Sequence, residues 1–423
     1  MGHVANPDRA YRLLQNRLDH MVTGAPDSPV LMQILRLLFS PEEAELARRI
    51  PSRPTSLKKL SQKLGIPAGE LDSQLTEMAR RGVVLDFFYR NQRYFLLPPV
   101  VIGFFEFTFM RARDDMPMAE LARLFDEYMY ADDRFSRALF AGQTQVGRSL
   151  VREEALPEGD HIEILDYERA SHLIESASDL AVSLCACRHK AEHLGHACDR
   201  PQEVCLVLNA AAVTMARNGI ARPIDAREGM QILDISKEAG LAQTGDNVQR
   251  NITYMCNCCG CCCGMMNAVR RLEIKNAIVS SNWLMEIDTE KCKGCGKCVE
   301  ACPVGAIALQ AAEGNGKKKA VRDDELCLGC GVCVPVCKKD ALSMRARERR
   351  ILTPETTYDR VVRMAIERGK LADLLFEDPE NLSHRALGRI LGVLEKSPPV
   401  KALIAVEPLK SAFINAMLSR IKS

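Results

Sequence analysis

The chain has 423 residues, 47% hydrophobic and 26% charged, and its 57 Lys and Arg against 55 Asp and Glu leave a net charge of +2. That length allows about two to four domains with packed cores, and the charge balance excludes a bulk electrostatic bias toward nucleic acid or membrane. Eighteen cysteines follow an N-terminus interrupted by Asp8, Arg9, Arg12 and Arg17, which points to a cytoplasmic protein using its thiols for metal, not disulfides.

Residues 1–29 are expected to form a helical arm. The domain at 30–112 opens with a buried helix from Val30, and Ser40 with Pro41 starts a second one carrying Ala44, Leu46, Ala47 and Ile50. Ser56 precedes a short helix stopped by Gly65. A further helix then places Leu71, Leu75 and Met78 on one face. The alternating stretch from Val83 to Leu97 predicts a hairpin. This order resembles a winged helix-turn-helix. The resemblance implies DNA binding through the third helix, but that helix presents Glu70, Asp72, Gln74, Glu77 and Arg80, and acids near its start suit phosphate poorly. Docking or a structural use of the module is therefore favoured over nucleic-acid binding. The apolar stretch after it, up to Met110, contains Glu106 and is too short to span a bilayer; it is expected to pack inside.

Residues 113–284 form a cysteine-rich domain of mixed helices and strands. Met118 to Met129 is amphipathic, a strand is expected near Val146 to Arg152, and helices are predicted at about Tyr167–Ala181, Val207–Asn218 and Ala226–Ala239. Cys185, Cys187, Cys198 and Cys205 fall within 21 residues. They are expected to form one metal site, an iron-sulfur cluster with Arg188 and Lys190 offsetting its charge, with zinc, for which His189, His193 or His196 could substitute as ligands, or unligated core thiols beside surface histidines as the alternatives. Cys256, Cys258, Cys259, Cys261, Cys262 and Cys263 then place six thiols in eight residues. No apolar core needs such a run, and unligated it would oxidise readily. An electron-transfer cluster, an atypical catalytic cluster or other metal or redox thiols all fit. The tripeptide Cys258-Cys259-Gly260 resembles the cysteine motif of heterodisulfide reductase subunits, which hold a non-cubane cluster that does thiol chemistry.

Residues 285–345 are an internal duplication. Cys292, Cys295, Cys298 and Cys302 repeat 35 residues later as Cys327, Cys330, Cys333 and Cys337, with glycine-rich loops and an alanine, Ala306 or Ala341, at the same offset. Cys-x2-Cys-x2-Cys-x3-Cys twice over resembles the bacterial two-cluster ferredoxin. The resemblance implies two [4Fe-4S] clusters whose fourth thiolate is exchanged, so that Cys337 completes the set of Cys292, Cys295 and Cys298, and Cys302 that of Cys327, Cys330 and Cys333. Pro303 follows the first run, whereas Lys338 takes that place in the second. Glu313 to Gly316 is expected to turn a hairpin between the copies.

A helical C-terminal segment at 346–423 completes an α+β, multidomain chain. No dinucleotide or Walker loop is evident, and no catalytic residue is assigned. The expected function is an iron-sulfur electron carrier of anaerobic metabolism, with two ferredoxin-type clusters and one or two more, serving redox partner proteins and not a membrane, a flavin or a nicotinamide. A redox-responsive regulator and an enzyme with an atypical cluster at Cys256 to Cys263 are the alternatives.

Overall fold

A computed structural model describes residues 7–156, 165–311, 317–376 and Arg389. The described chain is mixed α+β and divides into two compact units, one from Met1–Phe107, Asp115–Thr144 and Glu355–Ser423, the other from Thr108–Asp114 and Gln145–Pro354. No helix among the described residues is long and apolar enough to cross a membrane.

In the first unit, helix Pro7–Asp19 packs on helices Pro29–Leu38 and Pro41–Ala47, and Pro29–Leu38 packs on Met118–Tyr130. Starts and stops follow local chemistry. Ser40 and Glu43 form a reciprocal capping box, each accepting from the other's backbone N–H. Ser56 caps Leu57–Leu64, and Gly65, at φ +69°, ends it in the left-handed conformation. Helix Ala68–Arg81 buries Leu71, Leu75 and Met78, then leads into strands Leu85–Tyr89 and Gln92–Leu96, with Thr55–Ser56 pairing antiparallel on the latter. Helix Thr357–Glu367 belongs to the same unit: the Glu367 carboxylate accepts from the backbone N–H groups of Gln143 (2.9 Å) and Thr144 (2.7 Å). Of the helical C-terminal segment expected at 346–423, residues 377–388 and 390–423 lie outside the described residues.

The second unit is built on a six-stranded antiparallel sheet, in the order Gly147–Ser149, Ala242–Asp246, Tyr254–Cys258, Glu203–Leu208, Leu180–Leu184, Arg222–Ile224. Its core joins Ile174, Val182, Leu206, Leu208, Leu233, Leu241 and Met255. Two of the expected helices are present but shorter than expected, strand taking part of each span. Ala170–Glu175 is helical but Leu180–Leu184 is a strand, and Val207 lies within the strand Glu203–Leu208, which ends before helix Ala210–Arg217 begins after Asn209 at φ +58°. Short apolar runs buried on both faces carry no periodicity that separates strand from helix. The helix predicted from Ala226 is present as Ala226–Glu238, capped by Asp225.

The duplicated segment lies in the second unit as two small antiparallel sheets. Strand Trp283–Ile287 pairs with Leu342–Ala346, and Ile307–Ala311 pairs with Lys318–Arg322. The first strand of one copy thus meets the last strand of the other. The turn expected at Glu313 to Gly316 lies outside the described residues.

Candidate metal centre

Each cysteine loop of the duplication is held by the same device. The Asp288 side chain accepts from the backbone of Glu290 (3.0 Å) and Lys291 (3.1 Å). Asp323, 35 residues on, accepts from Glu325 (2.9 Å) and Leu326 (3.2 Å). Such Asx turns fix the approach to the first cysteine of each run. The recurring alanines tie the copies together: Asp288 N–H donates to the Ala341 carbonyl (2.9 Å) and Asp323 N–H to that of Ala306 (2.8 Å). The aspartates escape a reading focused on cysteine, although their equal offset from Cys292 and Cys327 was available as a signal. Gly294 and Gly329 sit at φ +67° and +65°, where a Cβ would overlap the carbonyl oxygens of Lys318 and Trp283 respectively. Each loop therefore lies directly on the strand that leads into the other copy.

These loops bring the thiols together in two sets. Cys292, Cys295, Cys298 and Cys337 line one cavity of about 220 Å³ with Lys293, Lys297, Lys338 and Lys339. Cys302, Cys327, Cys330 and Cys333 form the other set. Burial raises the pKa of Cys302, Cys330 and Cys333, Cys330 to about 12, and the charge of neighbouring thiolates in the same set adds to it. Each set takes three thiols from one run and one from the other. Backbone amides point at the sulfurs: Ala320 N–H donates to Cys292 Sγ (3.4 Å) and Ala306 N–H to Cys302 Sγ (3.2 Å). Four thiols around a cavity, on loops where a side chain would collide, are the donor set and cradle that fit a [4Fe-4S] cluster.

The two surroundings differ. Cys295 and the four lysines of the first set are exposed. At the second set two cations lie nearby. Arg152, 4% exposed, donates its backbone N–H to the Cys330 carbonyl (3.1 Å), and its guanidinium donates to the Lys237 and Leu241 carbonyls. Arg347 donates to the Cys327 carbonyl (2.8 Å). Burial lowers the pKa of both arginines, and the nearby thiolates oppose that shift.

The ten remaining cysteines converge as well, but in a different grouping from their order in sequence. The sheet places Cys205 on one strand beside Cys256 and Cys258 on its neighbour. Cys205, Cys256, Cys258, Cys263 and Cys187 adjoin one another in turn, and Cys185 stands close to Cys187, Cys205 and Cys258. Thr244 Oγ1 lies 3.3 Å from Cys258 Sγ, and Gly264 N–H donates to Cys187 Sγ (3.4 Å). Cys198 leaves the first sequence group and joins Cys259, Cys261 and Cys262, all four sulfurs lying within 4.8 Å of one another. The single site expected from Cys185, Cys187, Cys198 and Cys205 is thus divided, because strand pairing, not sequence distance, decides which thiols meet.

Arg188 lies among these groups, fully buried, donating to the Asn257 carbonyl at 3.1 and 3.2 Å. Burial alone would lower its pKa; the charges of Cys185 and Cys259 reverse this and hold it raised. His189 bonds to the Phe109 carbonyl (2.8 Å) and packs edge-on against the Phe109 ring, with the His193 ring tilted against it at 4.8 Å. His196 is exposed, near the Leu194 carbonyl.

A family model described as a 4Fe-4S dicluster domain matches residues 291–341. No curated protein and no solved structure matches the chain. The match spans both cysteine runs of the duplication and supports an iron-sulfur, ferredoxin-like protein with an electron-transfer role in general.

Proposed function

We propose that the chain relays single electrons between redox partner proteins, with one [4Fe-4S] cluster on Cys292, Cys295, Cys298 and Cys337 and another on Cys327, Cys330, Cys333 and Cys302. The observation that carries this reading is the cavity lined by three thiols of one run and the fourth of the other. Bound there, each cluster supplies reversible one-electron chemistry. The residues of the chain set its direction. Exposed Lys293, Lys297, Lys338 and Lys339 give the first set a positive face suited to an acidic partner. Arg152 and Arg347 beside the second set favour the more negative, reduced state, which makes the inner position the better electron acceptor.

Cys185, Cys187, Cys205, Cys256, Cys258 and Cys263 would hold a third cluster, with Arg188 offsetting thiolate charge. Six thiols exceed the four corners of one cubane, and that excess supports a second reading in which this set binds an atypical cluster with thiol chemistry of its own. The winged-helix-like module at 30–112 would serve docking, since Glu70 and Glu77 lie exposed on helix Ala68–Arg81.

Oxygen-free purification with iron and acid-labile sulfide counting tests the relay. At least about eight of each per chain, with reducible EPR signals from two interacting clusters, is the expected result. Colourless protein with zinc in the duplicated segment would sink it. Spectra at the six-thiol set that shift on adding thiols or thioesters would favour the second reading.

A further inference from the structure

The four sulfurs of Cys198, Cys259, Cys261 and Cys262 lie within 4.8 Å of one another. Cys261 Sγ and Cys262 Sγ are 3.7 Å apart. A tetrahedral ion with metal–sulfur bonds of about 2.3 Å sets its four sulfurs about 3.8 Å apart. Around a cubane the thiolates must stand farther apart, because a cube of four irons and four sulfides lies between them. Among the described residues this is the one group of His, Cys, Asp and Glu whose ligand atoms close up in this way; neither set of the duplication does.

We infer that Cys198, Cys259, Cys261 and Cys262 hold a single tetrahedral ion, zinc or one iron, and not another cubane. The turn is shaped for it. Cys262 N–H donates to Cys259 Sγ (3.4 Å), Asn267 Nδ2 to the Cys261 carbonyl (2.8 Å), and Arg270 to the Gly260 carbonyl (2.9 Å). Four thiolates around a divalent ion leave two negative charges, and the buried Arg188 guanidinium, which interacts electrostatically with Cys259, offsets one of them. Cys259 and Cys262 are buried while Cys261 is exposed, as in an ion clamped at the edge of a core. The ion would clip the loop carrying Cys198 to the turn carrying the other three, and so fix the end of strand Tyr254–Cys258 that bears Cys256 and Cys258. The spacing of these four sulfurs carries the assignment, which therefore stands apart from the electron-relay reading.

The test is metal and sulfide analysis of the full chain, purified without oxygen, as wild type and as Cys261→Ser and Cys198→Ser. The two variants sit in different loops, and retained visible absorption from the duplicated segment shows that the fold survives. One zinc per chain, or one iron unmatched by sulfide with a mononuclear high-spin Mössbauer signature, should be present in wild type and lost in both variants, with labile sulfide unchanged. At the metal edge, X-ray absorption should give four sulfurs at about 2.3 Å. Loss of about four irons together with about four sulfides would overturn the inference, since that is a cubane, and so would metal content identical in all three proteins. Neither overturning result alters the iron of the duplicated segment, so the relay reading is judged separately.

Discussion

Gly260 lies against Pro303 so closely that a Cβ on the glycine would stand 2.6 Å from the proline carbonyl oxygen and 3.0 Å from its Cα. The turn of the six-cysteine run therefore touches the residue that follows Cys302, and the two cysteine systems abut with no room for a methyl group. Gly260→Ala should push them apart. The expected cost is about 1–3 kcal/mol from overpacking against backbone that cannot swing aside. Iron in the duplicated segment should be retained, while electron equilibration with the proposed third cluster slows in stopped-flow reduction. A variant with the wild-type unfolding midpoint and wild-type reduction phases would mean that the contact is slack.

The duplicated segment is legible in the sequence because its chemistry is local: three thiols on one glycine-rich loop, a fourth at fixed offset, and the same pattern repeated. Even the cross-copy hydrogen bonds leave a trace, in Ala306 and Ala341 at equal offsets. The helix starts at Ser40, Ser56 and Asp225 are local too, each side chain accepting from a backbone N–H three residues on. The grouping of the other ten cysteines has no such basis. Cys198 meets Cys259 and Cys205 meets Cys256 only after Glu203–Leu208 has paired with Tyr254–Cys258. Nothing within either stretch records that pairing, and Val207 even reads as the start of a helix. Arg148 and Glu168 were invisible for the same reason, each unremarkable until the sheet closes over both.

That ion pair gives a sharp stability prediction. Arg148 and Glu168 are 0% and 1% exposed and hydrogen-bonded to each other. Glu168 Oε1 also accepts from Asn282 N–H (3.2 Å) and Nδ2 (3.0 Å), and Arg148 donates to Thr353 Oγ1 (3.2 Å) and lies 4.9 Å from the Tyr167 ring centre. Removing one partner strands the other charge out of water. Glu168→Gln should cost about 3–5 kcal/mol, and pairing it with Arg148→Met should recover part of that loss. Denaturant unfolding of the single and double variants forms the cycle. Additive losses would show that the two groups do not act as a pair.

The exposed lysines around the first thiol set make a kinetic prediction. Lys293→Glu combined with Lys338→Glu should slow bimolecular reduction by an acidic redox protein roughly tenfold or more at low ionic strength. The difference should shrink as salt is raised and the Debye length falls to about 8 Å at 0.15 M. Reduction by a small neutral reagent should be unchanged, which separates lost steering from a damaged cluster. Equal rates with the acidic protein at low salt would place electron entry elsewhere.

Glu106 makes stability depend on pH in a defined direction. Its carboxylate accepts from the Gly103 N–H (2.8 Å), but burial outweighs this and raises its pKa from 4.5 to about 7. Below pH 4.5 both the folded and unfolded forms hold the proton, and the group contributes nothing to the pH dependence. Between 4.5 and 7 the unfolded chain releases the proton while the folded chain keeps it, so stability falls across this window and levels off above it. A glutamine keeps the acceptor for Gly103 and cannot ionise. Glu106→Gln should therefore match the wild type near pH 4.5 and exceed it by about 1–3 kcal/mol at pH 8. Unfolding of the two proteins at both pH values checks this, and a gap that stays constant with pH would show that Glu106 titrates no differently in the folded protein than in the unfolded chain.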